Sequence, residues 1–318
     1  MDKKPLIIIA GPTATGKTKY SIEFAKRHNG SVISADSMQV YKGMDIGSAK
    51  ITKAEMKGIP HYLIDILEPD EEFNVAKFQS YAKEAIEQIY AQGRIPILTG
   101  GTGFYIQAVL YDIDFSRQDI QEQYRKELEK LAEENGAKAL HEKLAAIDPA
   151  SAEAIHANNV KRVIRALEYY HLTGMRISEH NQKEREKESP YCFAYFVLND
   201  ERSRLYERIE QRIDQMIAQG LVDEVQKLKD MGYTPDLVSM QGLGYKELFP
   251  YLEGACSLEE SVYVIKRDTR HFAKRQLTWF RREKDVIWVD KDRFSYDNDK
   301  ILNFLYDKIT EKGLLSEK

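Results

Sequence analysis

The sequence predicts an α/β fold, a parallel sheet flanked by helices and interrupted by an all-helical insertion. Three observations lead there. Short apolar runs alternate with amphipathic helical segments over the first hundred residues, the pattern of parallel strands joined by helical crossovers. From Ser116 to Glu188 no strand-like run occurs, and Lys, Glu and Ala dominate. A strand-like run then returns at Tyr191–Leu198. The expected division is a core of residues 1–115 and 190–318 with an insertion over 116–189.

The first strand is Leu6–Ala10, and it runs into Gly11, Pro12, Thr13, Ala14, Thr15, Gly16, Lys17 and Thr18. This is the pattern G-x-x-x-x-G-K-T between a strand and a helix-forming segment, Lys19–Arg27, which makes the core P-loop NTPase- or kinase-like. Its glycines let backbone N–H groups turn inward onto phosphate oxygens, and the positive end of the following helix adds to that field. Lys17 is the expected point charge on the terminal phosphate, and the Thr18 hydroxyl the expected ligand for Mg²⁺.

Ser31–Ala35 reads as the second strand, ending at Asp36 and Ser37, and His61–Ile66 as the third. Asn74–Gln92 is a long amphipathic helix closed by Gly93, and Arg94–Thr99 is a fourth strand running into Gly100–Gly103. In the insertion, helices are expected at residues 120–135 and 137–146, and a third from Asp148-Pro149, with Pro in the first turn. The mixed-charge run Lys183–Glu188 reads as a linker or helix end. Ser257 and Glu260 form a capping box that opens a helix to about Arg282. Val286–Val289 is a last strand and Lys300–Lys312 a final helix. In a parallel sheet the ligand site lies at the carboxyl ends of the strands, where the P-loop, Asp36 and Thr99–Thr102 all fall.

Composition bounds the function. The chain has 318 residues, 42% of them apolar, enough for one large domain or two modest ones. No run approaches the roughly 18 apolar residues of a membrane span. The first core strand begins so early that no signal or transit peptide is expected. Cys192 and Cys256 lie far apart, without His or Cys at metal-ligand spacing, so a reducing cytoplasm is the expected compartment. The net charge of −4 gives no global attraction to nucleic acid, so any such partner is held by local basic stripes.

Several residues carry chemistry. Asp36, at a strand end beside the phosphate loop, is placed to ligate a metal or take a proton; the plainer alternative is a helix cap. In the helix from Glu201, Leu205, Ile209, Ile213 and Met216 form the apolar face, and Arg204, Arg208 and Arg212 follow along its flank. Arg212 falls inside the apolar stripe and needs an anion there, either a structural carboxylate or the phosphates. The helix after Ser257 carries Arg267, Arg270, Lys274 and Arg281, with Asp268 the one acidic residue between Lys266 and Glu283. Such a stripe suits RNA phosphate. A smaller basic group, Lys161, Arg162 and Arg165, lies in the insertion. The loop Met240–Lys246 offers an amide, an aromatic ring and a cation, suited to an extruded base or to a tight interhelical connection. Neither the Asp-Glu strand end of motor ATPases nor the Asn-Lys-x-Asp guanine reader is present, which disfavours both classes.

Five segments together resemble the bacterial tRNA dimethylallyltransferase family. They are Gly11–Thr18, Ile33–Gly47, Gly100–Tyr105, Arg208–Ile213 and Ala273–Trp279, in this order over nearly the whole chain. The resemblance implies transfer of a dimethylallyl group from dimethylallyl diphosphate to N6 of the adenine 3′ to the anticodon in tRNA, with diphosphate released. It implies that the P-loop holds the prenyl diphosphate, that Mg²⁺ rests on Thr18, and that Lys17 and Arg212 stabilise the leaving group. Asp36 becomes the base. The implied tRNA contacts are Asp36, Ser37, Met38, Gln39 and Thr102, then Lys161, Arg162, Val163, Ile164 and Arg165, then Gln241, Gly242, Leu243, Gly244, Tyr245 and Lys246. Arg270 and Lys274 of the basic stripe join them. The insertion is the expected grip on the anticodon stem-loop, and the protein is expected to act as a monomer. Eukaryotic relatives carry a Cys/His zinc finger, which nothing here can form. Some bacterial relatives have Arg at the positions of Gln241 and Lys246. Two alternatives remain: an adenylate isopentenyltransferase acting on free nucleotide, and an ATP-dependent small-molecule kinase.

Overall fold

The computed structural model describes residues 3–115 and 122–315. Residues 116–121, including the start of the expected helix at 120–135, lie outside the described residues. The chain forms two compact units, Met1–Leu110 with Pro190–Lys318, and Tyr111–Ser189.

The first unit begins with β1 (Lys4–Ala10), α1 (Lys17–Arg27), β2 (Gly30–Ala35), β3 (His61–Tyr62), α2 (Val75–Ala91), β4 (Ile95–Gly100) and α3 (Gly103–Leu110). The second unit holds α4 (Glu122–Ile147), α5 (Pro149–Ala154), α6 (Val160–Thr173) and α7 (Ile177–Glu186). The first unit resumes with β5 (Tyr191–Asn199), α8 (Arg202–Ala218), α9 (Leu221–Asp230), α10 (Phe249–Leu252), α11 (Leu258–Phe280), β6 (Val286–Asp290) and α12 (Asn298–Glu311).

Among the described residues six strands form one sheet in the order β3-β2-β4-β1-β5-β6, and every pairing is parallel. β1 lies between β4 and β5 over registers such as Ile9↔Thr99 and Ile9↔Phe196. Covered on both faces, it needs apolar side chains at successive positions, and Leu6–Ala10 and Ala194–Leu198 are fully buried. On one face Tyr20 and Phe24 of α1 and Ile301, Leu305 and Ile309 of α12 close the core. β3 is shorter than the strand expected at His61–Ile66. Leu63 and Asp65 take positive φ of 63° and 54°, which ends ladder pairing after Tyr62.

Among the described residues of the second unit every regular element is a helix. α4 is broken at Gly136 (φ 83°, ψ 159°), so it is two helices meeting where the sequence predicts them to part. Leu128, Leu140, Leu144, Val163 and Leu167 make its core. The buried Glu168 carboxylate accepts both arms of the Arg125 guanidinium at 2.7 and 2.8 Å.

Asp148 caps α5 and ties it to α7. Its buried carboxylate accepts from the backbone N–H and hydroxyl of Ser151 and of Ser178, at 2.7–3.0 Å. Burial alone would raise its pKa, but these four donors outweigh it and hold the carboxyl below the ordinary range. A depressed carboxylate contributes stability that is present above the unfolded pKa of about 4 and is lost as pH falls through the folded value. Asp148→Asn is therefore expected to lower the thermal unfolding midpoint at pH 7, by an effect on the order of 2 kcal/mol. The gap to the parent protein should narrow below about pH 4. A gap of constant size across that range would refute the account.

Candidate active site

The carboxyl ends of β1, β2 and β4 bring the phosphate loop, Asp36 and Thr102 together. The loop is shaped by its own residues and clamped from two helices. Gly11 has φ +145°, and a Cβ there would lie 2.5 Å from the Leu198 carbonyl oxygen, so only glycine fits. Ala14, at the tip, takes φ 63°, and its carbonyl accepts from Arg208 Nε at 2.8 Å. The Thr15 hydroxyl and Lys17 Nζ both donate to the Pro12 carbonyl at 2.8 Å. Gly16, left-handed at φ 88°, opens α1, and Thr18 is exposed in its first turn.

Gln276 of α11 is the second clamp. Its Oε1 accepts from the Thr13 N–H at 3.0 Å, while its Nε2 donates to the Gly101 carbonyl at 2.9 Å. One buried amide thus joins the phosphate loop to the loop after β4. Sequence reading missed it, although the signal is present: Gln276 lies in the buried stripe of α11 with Ala273 and Phe280. A polar side chain in such a stripe needs partners.

The charges are unbalanced. Lys17 is lowered to about 7, first by burial and then by the Arg212 charge, with Asp36 opposing. Arg212 is lowered chiefly by burial, with Asp36 opposing and Arg208 assisting. Arg212 Nη1 lies 3.4 Å from the Thr13 hydroxyl. Lys17 and Arg212 therefore share a partly desolvated space beside Asp36, Arg208 adds to the repulsion on Arg212, and an anion there relieves it.

Asp36 Oδ1 accepts from the Met38 N–H at 2.9 Å, which fixes the carboxylate, and Oδ2 accepts no hydrogen bond among the described residues. Both Asp36 and Arg212 line a cavity of about 330 Å³. Thr13, Ser37, Thr102 and Gln276 continue its polar wall. Ile209 and Ile213 of the apolar stripe on α8, with Met216, Leu221, Ile265 and Phe272, make an apolar wall. Gln241, Gly242, Leu243, Gly244 and Lys246 border it too. The Thr102 N–H donates to the Ala35 carbonyl at 3.3 Å, joining the ends of β2 and β4.

The other expected residues fall elsewhere. Gln39 does not line the cavity; it accepts from the Ser34 hydroxyl and donates to the carbonyls of Ser48 and Ala49. Tyr245 is fully buried, with its hydroxyl 2.7 Å from Glu224, so its ring is not available to stack on a base. Val163 and Ile164 are buried in the core of the helical unit, whose exposed basic side chains on α6 are Lys161 and Arg162, with Arg165 half-buried. These three side chains lie inward in this structure for one reason: apolar and aromatic groups on these elements pack into the core. Arg270 meets Glu210 of α8 at 2.5 Å, whereas Lys274 is exposed and has no acidic partner among the described residues. The amino-terminal half of the basic stripe is neutralised in this way, since Lys266 pairs with Asp214 and Arg267 with Asp268.

Among the described residues no helix is long and apolar enough to cross a membrane, and no three His, Cys, Asp or Glu residues group to hold a metal ion.

Comparisons with known proteins converge. The family model described as IPP transferase matches residues 39–283. A tRNA dimethylallyltransferase of Lachnoclostridium phytofermentans is 61% identical over 98% of this chain and 99% of its own length. One of Acetivibrio thermocellus is 50% identical over 95% and 96%. Among solved structures, a tRNA isopentenylpyrophosphate transferase from Bacillus halodurans is 49% identical over 98% of both chains, with a TM-score of 0.73. A eukaryotic dimethylallyltransferase acting on tRNA reaches a TM-score of 0.82 at 29% identity, covering 99% of this chain and 81% of its own.

Proposed function

This chain belongs to the IPP transferase family, and from that premise we propose that it transfers a dimethylallyl group from dimethylallyl diphosphate to N6 of the adenine 3′ to the anticodon in tRNA. The observation that carries the reading is the cavity itself. A phosphate loop, Lys17 and Arg212 lie beside the Asp36 carboxylate, and the cavity it lines also has an apolar wall. That wall suits a five-carbon prenyl chain, and the cations suit a diphosphate.

The bond between the prenyl C1 and the diphosphate oxygen breaks as the bond from N6 to C1 forms. Negative charge develops on the diphosphate, where the loop N–H groups, Lys17 and Arg212 stabilise it. The adenine amine is a weak nucleophile because its lone pair is delocalised into the ring. Asp36, fixed by the Met38 N–H, orients it through the open Oδ2 and accepts the proton it loses. Gln276 holds the phosphate loop and the Thr102 loop in register. Mg²⁺ fits the exposed Thr18 hydroxyl, a hard oxygen donor, and this ion would take most of its remaining ligands from substrate phosphate and water. When bound it would add positive charge at the leaving group.

The second unit is the proposed grip on the anticodon stem, through Lys161 and Arg162. The free cysteines, unpaired at Cys192 and Cys256, accord with a reducing compartment. On α11 the unpaired Lys274 is the stronger candidate than Arg270 for a phosphate contact. Lys274→Ala is expected to raise the tRNA KM and reduce the slope of log affinity against log salt by about 0.7–0.9. Arg270→Ala, already neutralised by Glu210, should change the slope less. Equal slopes in parent and Lys274→Ala proteins would remove this residue from the RNA surface.

The deciding experiment is transfer of label. Purified protein, Mg²⁺ and radiolabelled dimethylallyl diphosphate are mixed with unmodified tRNA, and in parallel with AMP or with ATP. Label in tRNA and none in AMP is the expected result. Label in AMP alone would establish a free-nucleotide enzyme instead. Consumption of ATP with no label transferred would reopen the kinase reading.

A further inference from the structure

Glu224 lies in the first turn of α9, and the chemistry above makes no use of it. Yet its carboxylate gathers an unusual set of donors. Oε2 accepts from the N–H groups of Asp45 and Ile46 at 3.0 and 2.8 Å. Oε1 accepts from the Gly47 N–H at 3.1 Å and from the Tyr245 hydroxyl at 2.7 Å. Three successive backbone N–H groups thus converge on one anion, an arrangement in which the loop cradles the carboxylate. Burial, and then the Glu224 charge, raise the Tyr245 hydroxyl well above its ordinary pKa, so it remains a donor at working pH.

The two segments joined in this way both border the cavity. Ser37, Met38, Gly47 and Ser48 come from the loop after β2, and Gly242–Gly244 and Lys246 from the loop before α10. They also pack closely. A Cβ at Gly47 would lie 2.6 Å from the Tyr245 ring, and one at Gly242 would lie 2.8 Å from Met38 Sδ. Asp36 begins the first of these loops. Contact between apolar surfaces alone would let the loops slide; four hydrogen bonds to one carboxylate fix their separation.

We infer that Glu224 is a positioning residue for the acceptor base, holding the loop that carries Asp36 and Met38 at a set distance from the loop Gly242–Lys246. The inference rests on the functional reading above. Glu224→Gln tests it because the amide keeps only one acceptor oxygen. Whichever way the amide faces, its NH₂ meets at least one backbone N–H, and the cradle loses its fit. Tyr245→Phe removes a single bond from the same carboxylate with little change in volume.

The readouts are kcat and KM for tRNA, the Kd for dimethylallyl diphosphate, and the thermal unfolding midpoint. In Glu224→Gln the tRNA KM is expected to rise about tenfold or more, with the diphosphate Kd within about twofold of the parent. In Tyr245→Phe the tRNA KM should rise by a smaller factor, about two- to fivefold. A folded Glu224→Gln protein with the parental tRNA KM would overturn the inference. So would a parallel loss of tRNA affinity, diphosphate affinity and unfolding midpoint, which is the signature of a purely structural role. If Glu224→Gln does not fold, Tyr245→Phe decides, and an unchanged tRNA KM overturns the inference. The parent protein is assayed first: no transfer to tRNA by it would fail the functional reading itself, and this inference with it.

Discussion

Asp36→Ala is expected to lower kcat by about 10²–10⁴-fold, the range for removing a positioned general base, with little loss of diphosphate binding. On the proposed assignment the carboxylate serves the acceptor while other groups hold the anion, so the two effects separate. The loop N–H groups, Lys17 and Arg212 remain in place in the variant. Asp36 is the nearby negative charge that raises Lys17 and Arg212 toward their ordinary pKa values. Its removal lowers Lys17 further but also takes away a repulsion that an incoming anion meets, so diphosphate binding is expected to change little. Asp36→Asn is the sharper control, because the amide preserves an acceptor for the Met38 N–H at Oδ1 and removes only the proton acceptor. Single-turnover transfer with saturating tRNA and calorimetric binding of dimethylallyl diphosphate measure the two quantities. Turnover within threefold of the parent in Asp36→Asn would end the base assignment.

Lys17→Ala is expected to cost about 10²–10³-fold in kcat/KM for dimethylallyl diphosphate, comparable to removing one preorganised donor to developing charge. The pH dependence gives an independent check. In the free protein burial and Arg212 lower Lys17 to about 7. Below that pH the ammonium is present and attracts the diphosphate; above it the amine is largely neutral and that attraction is lost. The profile of kcat/KM for the diphosphate, which reports free-enzyme groups, should therefore fall as pH rises through about 7. Bound diphosphate supplies the missing negative charge and raises the lysine, so kcat at saturation should lack this limb. Lys17→Ala should lack it in both profiles. If the limb persists in the variant, another group is responsible.

Much of this was legible in contiguous residues. The capping box at Ser257 and Glu260 forms as spaced, the helix break falls at Gly136, and the left-handed Gly16 opens α1 where the motif places it. Such features depend on a few neighbours, whose preferences are written in the chain. The expected strand at His61–Ile66 forms only over His61–Tyr62, because its apolar residues match a strand but Leu63 and Asp65 take positive φ. Composition does not say whether the Tyr245 ring faces a ligand or a core, and in the structure it is buried against Gly47. The seat opened by Gly47 draws it inward.

By itself the sequence determined the α/β class, the phosphate loop with its Lys17 and Thr18, and the helical texture of the insertion, since each follows from local spacing of residue types. Only the tertiary structure decided which distant groups meet. Gln276 reaches a loop 263 residues away, Glu224 gathers N–H groups about 178 residues away, and Glu210 neutralises Arg270. Those pairings depend on which faces of α8, α9 and α11 turn toward the ends of the sheet. That is settled by burial of apolar surface across the whole unit, and no short stretch of sequence carries it.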